Sequence, residues 1–231
     1  MEKLIVGNLK NYMDINDVSI YLKESEKISS RNVIICPSNI YIPYFLKKNY
    51  KVGIQNILDS DETCTGEISA SQAKKIGISC AIIGHSERRN KFNETDEVIN
   101  NKIKSSLKEK LSVILCIGES LEQKDNAINI LKNQIIECLK DINLDNIVIA
   151  YEPVWAIGTG LTPSIGEINN IVINIKSIVK QIFNKDIKVL YGGSVNGENI
   201  ADIIKVVDGV LIGKASTDIE EFLKIIEVVN H

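Results

Sequence analysis

Histidine is almost missing from this 231-residue chain: there are two, His85 and the terminal His231, too few for a His-rich metal site. The five cysteines, Cys36, Cys64, Cys80, Cys116 and Cys138, are odd in number and widely spaced, and no C-x-x-C occurs. That pattern argues against both a disulfide framework and a zinc site. Basic runs and basic-aromatic stripes are lacking, and the net charge is −3 with a pI near 5.6, so nucleic acid is not the expected partner. No apolar stretch approaches the ~18 residues of a membrane span. Met1-Glu2-Lys3 runs directly into Leu4-Ile5-Val6 without a signal-peptide pattern, and the expectation is a soluble cytoplasmic protein. No Pro/Gly/Ser linker or compositional break divides the chain, so one domain over residues 1–231 is expected.

What is present is alternation. Apolar β-type runs occur at Leu4–Gly7, Val33–Cys36, Val52–Gln55, Cys80–Ile83, Val113–Ile117, Ile147–Tyr151, Ile187–Leu190 and Val210–Ile212. Helix-period stretches lie between most of them: Val18–Ile28, Ile40–Lys47, Ser69–Ile76, Thr95–Leu107, Ser120–Leu139, Ile168–Phe183, Gly197–Ile204 and, after the last run, Asp218–Val229. Strands that alternate with helices through short connections pair in parallel by right-handed crossovers. Repeated eightfold at this length, they close into a (β/α)8 barrel, the α/β fold expected here. The rival, a doubly wound open sheet, lacks its G-x-G-x-x-G after the first run.

In such a barrel the chemistry gathers where the strands end. The first run ends in Gly7-Asn8-Leu9-Lys10, the fourth in Gly84-His85-Ser86-Glu87 and the fifth in Cys116-Ile117-Gly118-Glu119. The sixth ends in Glu152, which Pro153 follows, and then enters a glycine-jointed stretch with Trp155 and Ile157 available to cover a site. An acid at the end of an apolar strand is costly unless it is used, because burial disfavours its charge. Glycine turns follow the seventh and eighth runs, Gly192-Gly193-Ser194 and Gly213-Lys214, where barrel enzymes bind phosphate through backbone N–H groups. Glu152, His85 and Lys10 form a set for proton transfer beside a carbonyl: a carboxylate base, an imidazole to polarise oxygen, and an ammonium to stabilise the enediolate.

These motifs together resemble the triosephosphate isomerase family over essentially the whole chain. The matching pieces are Asn8-x-Lys10, Gln55-Asn56, Thr65-Gly66-Glu67-Ile68-Ser69, Gly84-His85-Ser86-Glu87-Arg88-Arg89, Cys116-Ile117-Gly118-Glu119, Ala150–Gly160 and Tyr191-Gly192-Gly193-Ser194. The resemblance implies cofactor-free interconversion of dihydroxyacetone phosphate and D-glyceraldehyde 3-phosphate, a step of glycolysis and gluconeogenesis. It implies that Glu152 shuttles the proton, that His85 is a neutral electrophile, and that Lys10 binds substrate beside Asn8. Gly158, Ser194, Leu211, Gly213 and Lys214 would hold the substrate phosphate. Ser86, Glu87, Cys116, Glu119 and Tyr191 would support the site, and the Pro153–Pro163 stretch would close over it as a lid.

The resemblance also implies a homodimer. The loop Ile57–Thr65 would enter a pocket of the partner subunit, bringing Thr65 toward its Asn8 and His85, with Glu67 and Arg88 pairing across the interface. The chain departs from the family pattern at Leu9, Asn11-Tyr12, Lys214, Leu161 and Pro163. Pro163 has no N–H to give to the Tyr191 hydroxyl, so that latch is expected to be absent or replaced by Thr162 or Ser164. Two other readings stay open at this point. One is a phosphate-handling barrel lyase or aldolase using Lys10 as a Schiff base; the other is a non-catalytic relative.

Overall fold

A computed structural model describes residues 2–28, 30–157 and 162–231. Strand β1 (Leu4–Asn8) is followed by helix α1 (Ile15–Glu24), then β2 (Val33–Cys36), α2 (Ile42–Phe45), β3 (Lys51–Ile54) and α3 (Ala70–Lys75). Next come β4 (Cys80–Ile83), α4 (Ser86–Phe92), α5 (Asp96–Lys108), β5 (Ser112–Ile117), α6 (Ala127–Cys138) and β6 (Ile147–Tyr151). The chain ends with α7 (Ile165–Phe183), β7 (Lys188–Tyr191), α8 (Ile200–Val206), β8 (Gly209–Ile212) and α9 (Ile219–Asn230). The strands pair in parallel in sequence order, and β8 returns to β1, closing the expected barrel.

Period-two alternation splits the strand residues between two apolar clusters. Val6, Ile34, Cys36, Cys80, Ile82, Ile114, Cys116, Ala150, Leu190 and Leu211 form a separate cluster in the barrel interior. Their neighbours, such as Ile5, Ile35, Ala81, Leu115 and Ile149, join the larger cluster between sheet and helices. Gly53 stands beside Cys80 in the ladder. A Cβ at Gly53 would lie 2.5 Å from Cys36 Sγ and 2.8 Å from Cys80 Sγ, so two thiols occupy the space its side chain would need. Contact with Cys80 and complete burial push the Cys36 thiol well up, which makes it an inert packing group.

The helices differ from expectation where local capping competes with hydrophobic period. Helix α1 starts three residues before Val18, because Asp14 accepts from the N–H groups of Asn16 and Asp17. The stretch expected as one helix from Ser120 breaks into a 3-10 turn over Leu121–Asn126 and then α6, since Ser120 and Gln123 form their own capping box. The second helical stretch divides into a 3-10 turn over Asn39–Tyr41 and the four-residue α2, with Pro43 in the first turn of α2, where its missing N–H costs no helical bond. An unexpected short helix, α4, forms inside the motif that follows β4. Among the described residues no helix is long and apolar enough to cross a membrane.

Candidate active site at the strand ends

A cavity of about 700 Å3 opens at the C-terminal ends of the strands. Asn8, Lys10, His85 and Glu152 line it from one side. Leu211 in β8 and Ser194, Gly213 and Lys214 in the turns after β7 and β8 line it from the other. Gly158, expected among the phosphate contacts, lies outside the described residues.

Glu152 follows the last residue of β6 and is 2% exposed. Its Oε2 accepts from Ser86 N at 3.0 Å, while its Oε1 lies 3.2 Å from His85 Nε2. His85 caps the start of α4, and its Nδ1 accepts from Glu87 N at 3.2 Å. An imidazole nitrogen that accepts a backbone N–H carries no proton, so the ring proton sits on Nε2 and points into the site. Lys10 Nζ pairs with Glu87 Oε1 at 2.8 Å. Burial alone would push the Glu87 carboxyl up, but the hydrogen bond and charge of the Lys10 ammonium, with Lys91 further off, outweigh it and hold it below the usual range.

Lys10 adopts a left-handed backbone, φ 46°, which costs a non-glycine residue on the order of 1 kcal/mol or more. Neighbours enforce it. Asn8 Oδ1 accepts from Lys10 N at 3.2 Å, and Gln55 Nε2 donates to both Lys10 O (2.9 Å) and Cys36 O (3.0 Å). Gln55 is therefore a site-building residue that motif reading alone left without a role. Its sequence signal was the Gln55-Asn56 piece at the end of the third apolar run, to which no role was attached.

The supporting residues stand behind the cavity. The Cys116 thiol is fully buried against Glu152; burial first, then that carboxylate, pushes it well up. Glu119 Oε1 accepts from Tyr151 OH and Trp155 Nε1, each at 3.0 Å, and burial raises its carboxyl. Lys124 Nζ sits 4.4 Å from the centre of the Trp155 ring on the outer side. In the stretch after β6, Ala156 O accepts from Ser194 Oγ at 2.8 Å. The Tyr191 hydroxyl is buried and has no hydrogen-bond partner among the described residues. Ser164 does not serve it, because its hydroxyl caps α7 together with Glu167. Thr162 is exposed, and Leu161 lies outside the described residues.

The residues expected at an interface sit apart from the cavity. Thr65 and Glu67 are exposed on the connection between β3 and α3. Arg88 stacks 4.4 Å from the Phe92 ring and bonds Glu94 within the same chain. Glu94 also holds the buried Lys102, whose Nζ donates to Asn56 Oδ1 at 2.8 Å. This inward web through Glu94 was not foreseen from the sequence.

A sequence profile described as triosephosphate isomerase matches residues 3–229. The chain is 43% identical over 244 aligned positions to the triosephosphate isomerase of Alkaliphilus metalliredigens, covering 96% of this chain and 98% of that one. The chain belongs to the triosephosphate isomerase family. Further relatives of that name are those of Alkaliphilus oremlandii, 40% identical with 88% of each chain covered, and Thermodesulfovibrio yellowstonii, 38% identical with 98% and 99% covered. Against the triosephosphate isomerase pattern, Asn8, Lys10, His85, Glu152 and Gly192-Gly193-Ser194 line the cavity, as do the departures Tyr12 and Lys214, whereas Leu9 is buried.

Proposed function

We propose that this chain, as one barrel domain, interconverts dihydroxyacetone phosphate and D-glyceraldehyde 3-phosphate through an enediolate. Family membership supports the reaction, and one observation supports the assignment of roles. His85 Nε2 and the Glu152 carboxylate lie side by side at 3.2 Å, while His85 Nδ1 is committed to Glu87 N. Glu152 is then the base that takes the proton from carbon, held by the Ser86 N–H on its other oxygen. His85 offers Nε2–H to the substrate oxygen, and Lys10 adds positive charge beside it. Phosphate is held at the far wall by main-chain N–H groups at 194, 211 and 213 and by Lys214, the family pattern adds the N–H of Gly158, and closure of the stretch from Pro153 to Pro163 excludes water.

A Schiff-base role for Lys10 fits less well, because its ammonium is already engaged by the Glu87 carboxylate. A coupled assay for triose phosphate isomerisation on the purified protein tests the reaction. Borohydride trapping of substrate on Lys10 would instead favour the lyase reading.

The same reading carries a homodimer and a cytoplasmic place in glycolysis and gluconeogenesis. The exposure of Thr65 and Glu67 on the connection after β3 supports the dimer, since the family pattern sends that loop into the partner. Light scattering should give twice the chain mass of 25.7 kDa, and a monomer at micromolar concentration would remove the dimer from the proposal.

A further inference from the structure

Beyond the end of β5, the chain is held by a residue from outside the barrel, and we infer that Gln134 is a positioning residue for Glu152. In a parallel sheet a strand residue directs its N–H and C=O to one side, and successive residues alternate sides. Ile117 and Glu119 face β6: Ile117 O accepts from Glu152 N at 2.8 Å, and Glu119 O accepts from Val154 N at 3.0 Å. Cys116 and Gly118 therefore face β4. But β4 ends at Ile83, level with Leu115, and the chain turns away into Gly84 and His85. Cys116 C=O and both backbone groups of Gly118 lose a strand neighbour at a place where unpaired polar groups are costly.

Two side chains stand in for that strand. Arg89 Nη2 donates to Cys116 O at 3.2 Å. Gln134, on α6, does more: its Oε1 accepts from Gly118 N and its Nε2 donates to Gly118 O, both at 2.9 Å. A primary amide presents donor and acceptor together, so Gln134 imitates one residue of the missing neighbour.

The clamp bears on the base because the two backbones touch. A Cβ on Gly118 would lie 1.7 Å from Glu152 O. Gln134 thus fixes the surface against which the Glu152 peptide rests, without itself lining the cavity.

The inference depends on Glu152 being the base, so Glu152→Gln is assayed alongside. The test compares Gln134→Leu, which loses both bonds, with Gln134→Glu, which keeps only an acceptor for Gly118 N–H. Ile135→Val, a buried neighbour on α6 without a bond to Gly118, is the control for lost stability. For Gln134→Leu, kcat should fall about 10- to 100-fold with KM within about threefold, as a displaced reacting group requires. Gln134→Glu should fall between Gln134→Leu and the parent, and Ile135→Val should keep kcat. The inference is overturned if a folded Gln134 variant keeps the parent kcat, or if Ile135→Val loses as much kcat for the same drop in Tm. Should Gln134→Leu fail to fold, Gln134→Glu decides by the same criterion. Full activity in Glu152→Gln sinks the functional reading itself. Loss there with unchanged Gln134 variants sinks only the positioning role.

Discussion

The barrel interior and the barrel mouth are built by the same strands yet obey different physics. In the interior, Val6, Ile34, Ile82 and Ile114 pack with buried thiols, and none of these side chains can hydrogen-bond to a ligand. A few residues further along, the strands end in Asn8, His85 and Glu152, which are nearly as buried but polar. Interior residues need only volume, which many apolar side chains supply. Mouth residues need partners, because a buried polar group without one is costly. Each has them: Ser86 N and His85 for Glu152, Glu87 N for His85, Glu87 and Gln55 for Lys10. Stability and chemistry are thus stacked along the barrel axis, and substitutions should separate them.

The largest effect belongs to the mouth. Glu152→Gln should cut kcat about 10²- to 10⁴-fold, the usual worth of a positioned base, while leaving Tm near that of the parent. Steady-state kinetics and a melting curve on one preparation check both halves, and an active variant breaks the assignment. Ile82→Ala is the interior counterpart. It should destabilise by about 2–5 kcal/mol in urea unfolding yet leave kcat per folded molecule unchanged. A fall in kcat there would show that the two levels are not separable.

Lys214 sharpens the contrast within the mouth. It lines the cavity, is exposed, and forms no ion pair among the described residues. Lys214→Gly should raise KM about two- to tenfold with kcat nearly constant, and should weaken the salt dependence of kcat/KM, as expected for a screened exposed charge. Unchanged KM and salt dependence would leave phosphate to the main chain alone.

The smallest effect concerns Glu119. Burial raises its carboxyl in the folded chain, so it favours folding below the ordinary carboxylate value, and that contribution is lost as pH rises through its folded value. Glu119→Gln keeps an acceptor for Tyr151 and Trp155 but has no charge to bury. Its Tm relative to the parent should therefore climb as pH goes from about 4 toward neutrality. A Tm difference that is flat across that range would mean Glu119 stays equally comfortable when ionised.

Much of the fold was readable because strand and helix periods are local. The alternation of runs located all eight strands to within about a residue, an accuracy helped by clear Gly, Pro and Asn punctuation. The helices were less readable. Asp14 and Ser120 set their ends by short-range bonds that a hydrophobic pattern does not register. In the site, Glu152 could be singled out as an acid closing an apolar strand, and His85 and Lys10 as further strand ends. Gln55 and Arg89 stood inside matching motifs without a role, and Gln134 stood in none, since nothing near them in the chain hints at the carbonyls they reach.

Local pattern by itself settled that this chain makes strands and helices in turn, and which side chains stand at the strand ends. Only the closed barrel decided which of those ends meet. His85 and Glu152 come from different strands, and it is the joining of β4, β5 and β6 side by side that sets them 3.2 Å apart. Only the tertiary structure, too, gave β5 a longer reach than β4, leaving Gly118 to be held by a glutamine from a helix. The physical reason is the same in both cases. A period records what a residue is next to along the chain, whereas a hydrogen bond between distant segments exists only once the sheet has closed and brought them within about 3 Å.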